Sequence, residues 1–327
     1  MLQEAVEQRD FHFSQALKSM NPTCIKEIKD SFRKYGYVII KNIDTREFSE
    51  FSYLSSLFFD KGMDYFGGTN SRENLGNGVL SVGTEPPSVP VDAHNEMSYW
   101  NTYPEIIMFA CKSCPPNTGA TVIADNHAVS RDILKTAVGK KFQKFGVNYI
   151  RNFTDHNSCG KNPGLKSWQQ TFGYEDKDSL ISYLNRAGIH HEFSADGGLR
   201  VSYQLPAYEY DPIVQTNLLF VSTGNHGRAF DLWAPFNQLE NKARPYHLQY
   251  GDGSELSRQD LEDIDAIFSL YSMPINWLPS MAAIIDNRRF THARPVFTPN
   301  PSIPRELGVQ IGNQVSRIGI RKNAWTM

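Results

Sequence analysis

Asp92-Ala93-His94-Asn95-Glu96-Met97-Ser98-Tyr99 is the stretch on which the reading of this chain turns. His94 and Glu96 are separated by one residue. On an extended strand, i and i+2 side chains leave by the same face, so an imidazole and a carboxylate stand side by side at chelating separation while Asn95 points away. A His-x-Glu alone occurs often by chance, and two surface side chains are then the plainer explanation. The pair gains meaning only with a second imidazole.

That imidazole is found near the other end, in Ile284-Ile285-Asp286-Asn287-Arg288-Arg289-Phe290-Thr291-His292-Ala293-Arg294. His292 follows a strand-like apolar run, Ala282 to Ile285, and a turn-like Asp-Asn. Two His and one carboxylate leave three coordination positions open, the donor set of non-haem Fe(II) oxygenases. The other His residues, including the adjacent His190-His191 and the scattered His12, His127, His156, His226 and His247, sit in contexts that fit exposed or hydrogen-bonded structural roles.

Around these two stretches the chain reads as β-rich with flanking helices. Asn21-Pro22 opens a helix as N-cap and N1, Ile25, Ile28 and Phe32 form its stripe, and Gly36 closes it. Tyr37 to Ile40 reads as a buried strand. Asp44 with Glu47 predicts a capping-box start for a helix bearing Phe48, Phe51, Leu54 and Phe58. From Asn74 to Asp125, glycines and Pro86-Pro87 punctuate short strands, with a β-like run at Ile106 to Cys111. Helices are predicted from Asp176 to Gly188 and from Ser257 to Tyr271. No repeat or linker divides the chain, so residues 1–327 are read as a single domain.

Composition narrows the classes. Apolar residues make up 40% of 327, and 23 Gly bring the sum to roughly 47%, an ordinary globular value. The formal net charge of −2 gives no pull toward nucleic acid or an anionic membrane. No apolar run is long enough to cross a bilayer, and the polar N-terminus lacks a signal peptide's apolar core. Four Cys do not make a disulfide scaffold, so the cytoplasm is the expected compartment. Cys111-x-x-Cys114 has no second pair at zinc spacing and reads as one buried and one loop thiol. Gly67-Gly68 and Gly251-Asp252-Gly253 read as turns. Tyr99, Trp100 and Tyr103 fit a pocket lining or core packing, and Arg72 fits a substrate carboxylate or a solvated surface equally.

The sequence resembles the taurine dioxygenase/clavaminate synthase-like family of Fe(II)- and 2-oxoglutarate-dependent oxygenases, from about Lys29 to about Gly312. The resemblance is carried by KYGYVIIKN, HNEMSYWNTYPEIIMFAC, PNTGATVIAD, NYIRNF, SWQQTF, YGDGSEL and IIDNRRFTHARPVF. It implies a double-stranded β-helix, a cupin-like jelly-roll of two facing sheets. It implies His94, Glu96 and His292 as iron ligands and Thr121 as a 2-oxoglutarate contact. A guanidinium should hold the far carboxylate of that co-substrate through two parallel hydrogen bonds. Arg305, 13 residues after His292, is favoured over Arg317, 25 residues after it. Arg294, in the family's His-x-Arg position, is expected nearer the substrate entrance or in a structural role. Ala120 and Ala293 stand where the family usually has Gly. Leu219-Phe220-Val221 and Asn225-His226 replace the Trp-Phe-Asn common before its central loop.

The implied reaction uses Fe(II), 2-oxoglutarate and dioxygen, releases succinate and carbon dioxide, and attacks an unactivated C–H. The expected substrate is an amino acid or similar small molecule of specialised metabolism, free or attached to a carrier protein. Desaturation, cyclisation or epimerisation on the same scaffold is the alternative outcome, and a non-catalytic metal-binding jelly-roll is the third. Halogenating relatives have a small residue at the carboxylate position, so Glu96 points to hydroxylation and away from chlorination.

Overall fold

The computed structural model describes residues 10–12, 21–68, 70–158, 165–223 and 228–317; the side chain of His12, together with Cys159, Asn225 and His226, lies outside the described residues. The largest sheet has seven strands, in the order 10–12, Tyr37–Lys41, Met281–Asp286, Thr102–Ser113, Glu306–Ser316, Val79–Ser81 and Asn74–Gly76. Its central strands are apolar on both faces, and the period-2 alternation sorts them. Val38, Ile40, Ile106, Met108, Ala110, Ala282 and Ile284 pack outward against Ile28, Phe51 and Leu54 of the helices Pro22–Tyr35 and Ser49–Ser56. Their neighbours Tyr37, Ile39, Ile107, Phe109, Ala283 and Ile285 face the other way, into the main core.

A second sheet of four strands, in the order Ser272–Ile275, Thr121–Asp125, Phe290–Arg294 and Val91–His94, supplies Ile123, Ala124, Ile275 and Phe290 to that same core. This is the expected mainly β, jelly-roll arrangement. A third sheet, of strands Tyr246–Tyr250, Val147–Phe153, Leu199–Leu205 and His190–Phe193, extends the core.

The helix ends follow their caps. Asn21 accepts from the Thr23 and Cys24 N–H groups, and Gly36 closes the helix at φ 81°. Asp176 caps Lys177–Ala187, and Ser257 with Asp260 forms a capping box on Arg258–Leu270. The expected capping box at Asp44 and Glu47 is not formed. That helix starts at Ser49 behind Phe48, which is left-handed with no side-chain cap. Asp44 closes on Arg46 instead, its Oδ1 accepting both the Arg46 backbone N–H and Nε at 3.0 Å, and Glu50 accepts the Asp44 N–H at 2.7 Å. Cys114 also departs from expectation. It sits beyond the strand yet is buried, donating its thiol to the Thr118 carbonyl at 3.4 Å.

Candidate active site

The strand carrying His94 ends there, and Glu96 lies in the turn that follows, so the pair is not two side chains of one strand as expected. A turn satisfies the same requirement by another route. Asn95 is buried and donates to the Asn287 carbonyl at 2.6 Å, which anchors the turn with Glu96 pointing the opposite way. His292 lies directly across from His94 in the antiparallel register of their two strands, with ring centroids 4.2 Å apart. One ligand atom from each of His94, Glu96 and His292 falls within 4.8 Å of the others.

The donor chemistry of these three residues fits a metal. The His94 Nδ1 hydrogen donates to the Asp92 carbonyl at 2.9 Å, which leaves Nε2 with its lone pair. Burial, with His292 beside it, lowers His94 to about 4, so the ring is neutral, the form that ligates. Burial works to raise Glu96, but the His292 hydrogen bond and the Arg72 charge outweigh it and hold the carboxyl at about 2, ionised. His292 Nε2 stands 3.5 Å from Glu96 Oε2. Two imidazoles and a carboxylate suit a divalent first-row metal with room for further ligands.

These groups line a cavity whose wall also carries Tyr65, Arg72 and Tyr99. Arg305 and Thr121 line it too. Arg305 Nε donates to the Gly119 carbonyl at 2.7 Å, and Nη2 reaches Thr121 Oγ1 at 3.4 Å. Thr121 Oγ1 also accepts from Trp277 Nε1 at 2.9 Å, so its own hydroxyl hydrogen remains to be donated. Burial and then nearby Arg294 lower Arg305 to about 10, still a cation at neutral pH. Gly119 makes room for it: φ is +70°, and a Cβ there would meet Arg305 Cδ at 2.9 Å.

Arg317 is elsewhere. It is buried, bonded to Glu209 Oε1 at 2.7 Å, and donates to the carbonyls of Ser98 and Pro206 at 2.5 Å and Phe220 at 3.3 Å. Arg294 lines the cavity but spends its Nη2 on the Pro86 and Val89 carbonyls, holding that loop. Tyr99 lines the cavity, whereas Trp100 and Tyr103 are core residues, each 1% exposed. Arg72 is in the cavity wall and not on the surface.

Two contributors escaped the sequence reading. Asn287, read only as half of a turn, is fully buried; its Oδ1 accepts the Glu96 N–H at 2.7 Å, and its Nδ2 donates to the Glu96 and Pro104 carbonyls at 3.0 and 2.9 Å. Trp277 orients the Thr121 hydroxyl. Neither has a local signal, because each acts on a residue far away in the chain.

The profile of the family described as "Taurine catabolism dioxygenase TauD, TfdA family" matches residues 2–308. The chain belongs to this family, and the class of protein that its fold and site define is the iron- and 2-oxoglutarate-dependent oxygenase. Among characterised relatives, the dapdiamide synthesis protein DdaC of Enterobacter agglomerans is 24% identical over 278 residues, covering 83% of this chain and 81% of that protein. A taurine dioxygenase from Burkholderia xenovorans shares the fold with a TM-score of 0.51 at 15% identity, over 98% of this chain and 95% of that one. AAD-2, solved with Mn(II) and N-oxalylglycine, shares it with a TM-score of 0.50 at 12% identity, over 95% of each chain. No described helix is long and apolar enough to cross a membrane.

Proposed function

We propose that this protein is a dioxygenase that hydroxylates an unactivated C–H of an amino acid or related small molecule in specialised metabolism. The observation that carries the reading is the convergence of His94, Glu96 and His292 on one point of a cavity that also holds Arg305. His94, Glu96 and His292 would hold Fe(II), and Arg305 with Thr121 would hold the far carboxylate of 2-oxoglutarate. When bound, iron, 2-oxoglutarate and dioxygen supply the oxidising power, with succinate and carbon dioxide as co-products.

The protein's own part is positional. Neutral His94 and ionised Glu96 are ready to ligate without a proton leaving first. Arg305 offers a planar cation whose Nε is already pinned by Gly119, so little freedom is lost on binding. Phe109 packs its ring 5.5 Å from that of His292 and gives that side of the site an apolar wall. The name of DdaC places that relative in dapdiamide synthesis, which supports a biosynthetic setting here. The test is Fe(II)-dependent conversion of 2-oxoglutarate to succinate, stimulated by members of an amino-acid and amino-acyl carrier panel. Succinate formation that does not depend on Fe(II), or none at all with Fe(II), 2-oxoglutarate and dioxygen present, overturns the reading.

A further inference from the structure

The cavity wall carries three guanidinium groups, and two are spoken for. Arg294 holds a loop through two carbonyls, and Arg305 is fixed beside Thr121. The third, Arg72, is placed differently. Its side chain is 14% exposed, its guanidinium lies 4.0 Å above the Tyr65 ring centroid, and Nη1 donates to the Ser81 carbonyl at 3.1 Å. Nη2 stands 3.9 Å from Glu96 Oε1, too far for a hydrogen bond. No other described carboxylate comes within 4.0 Å of it. The Tyr65 hydroxyl beside it is buried with no partner among the described residues.

The surroundings add positive charge. Lys166 is lowered by burial and then by the charges of Arg72 and Arg151. Glu96 and, after it, Glu85 in the same wall are the carboxylates whose charge favours the Arg72 cation, and a metal held by Glu96 would draw on the first of them. With Glu96 given to a metal, Arg72 would keep only Glu85 at longer range, so an anion from outside would be favoured at this end. A planar guanidinium with free hydrogens selects a carboxylate.

We infer that Arg72, with the Tyr65 hydroxyl, binds a carboxylate of the substrate. This rests on the reading of His94, Glu96 and His292 as the metal site. The 3.9 Å approach of Arg72 to Glu96 sets the bound carboxylate beside the metal position and presents the carbons attached to it for attack. A substrate tethered to a carrier through its only carboxyl has become a thioester and cannot offer this group. The substrate class is therefore a free carboxylic acid, an untethered amino acid among them. The competing role for Arg72 is to steady Glu96 alone.

The experiment uses trifluoroacetate as a carboxylate probe and trifluoroacetamide as its neutral counterpart. Full-length protein is loaded with N-oxalylglycine and either Mn(II) or Zn(II), and 19F relaxation of each probe is measured. The expected result is faster relaxation of trifluoroacetate with the Mn(II) protein than with the Zn(II) protein, because paramagnetic enhancement requires proximity to the metal. Trifluoroacetamide should show no such difference. Arg72→Met should lose the enhancement and Arg72→Lys should keep part of it, with melting curves confirming that both are folded. Equal enhancement of acid and amide, none with the wild-type protein, or full enhancement in Arg72→Met overturns the proposal; the wild-type comparison stands even if a variant does not fold. Electron paramagnetic resonance of Mn(II) reports metal binding separately. If Mn(II) stays free in solution, the metal reading fails, and Arg72 is then judged by whether metal-free protein broadens trifluoroacetate and Arg72→Met does not.

Discussion

Asn287 grips the backbone of Glu96 from both sides, accepting its N–H at 2.7 Å and donating to its carbonyl at 3.0 Å across a sequence separation of 191 residues. The amide is matched to the task, since only a side chain with both a donor and an acceptor can hold both groups of one peptide residue. Glu96 sits in a turn with no sheet partner, so its position depends on this contact.

Asn287→Ala should leave the Glu96 N–H and two carbonyls unpaired, costing about 1–3 kcal/mol of stability for the buried groups. Divalent metal affinity should fall by roughly 10–100-fold, as for other loss of support behind a ligand. Titration with Mn(II) and a melting curve on the same sample check this. A lower melting temperature with unchanged metal affinity would confine Asn287 to the fold.

Replacing His94 or His292 by Ala removes one of three donors that lie within 4.8 Å of each other. Metal binding and 2-oxoglutarate consumption should both drop severely. Near-normal consumption in either variant would show that the metal is held elsewhere.

Arg305→Lys keeps the charge but loses the planar fork, so 2-oxoglutarate binding should weaken by about 2 kcal/mol. Arg317→Lys should leave that binding intact and lower stability instead, because Arg317 is tied to Glu209 and three carbonyls. Isothermal titration with 2-oxoglutarate, alongside melting, separates the two; the reverse ranking would move the role to Arg317.

Gly119→Ala should weaken 2-oxoglutarate binding while leaving metal affinity unchanged. The added methyl meets Arg305 Cδ at 2.9 Å and sits on a residue at φ +70°, so Arg305 must shift from the cavity wall. Equal losses of metal and co-substrate would point to general unfolding.

Glu96 bears on the reaction outcome. With a substrate in hand, mass spectrometry of wild-type reactions in excess chloride should show an oxygenated, desaturated or cyclised product and no chlorinated one. Glu96→Ala should abolish the native product. A chlorinated wild-type product, or full activity in Glu96→Ala, would falsify the assignment of Glu96.

The sequence by itself determined the short-range features and the identity of the donors. Asn21, Asp176 and Ser257 announce their helices because a cap and its N–H groups lie within three residues. The apolar runs of Tyr37–Lys41 and Met281–Asp286 are likewise local. His94, Glu96 and His292 were legible as a donor set from residue type and motif. Where local signals competed, reading failed: Asp44 met Arg46 before it could cap, and a turn replaced strand at Glu96. Only the tertiary structure set His94 opposite His292, put Arg305 in the cavity wall and Arg317 on Glu209, gave Asn287 to Glu96 and drew Arg72 into the cavity. The reason is physical. Which Arg faces a cavity and which is consumed by a buried partner depends on sheet register and on burial among residues far apart in the chain, and neither leaves a trace in the local spacing of residue types.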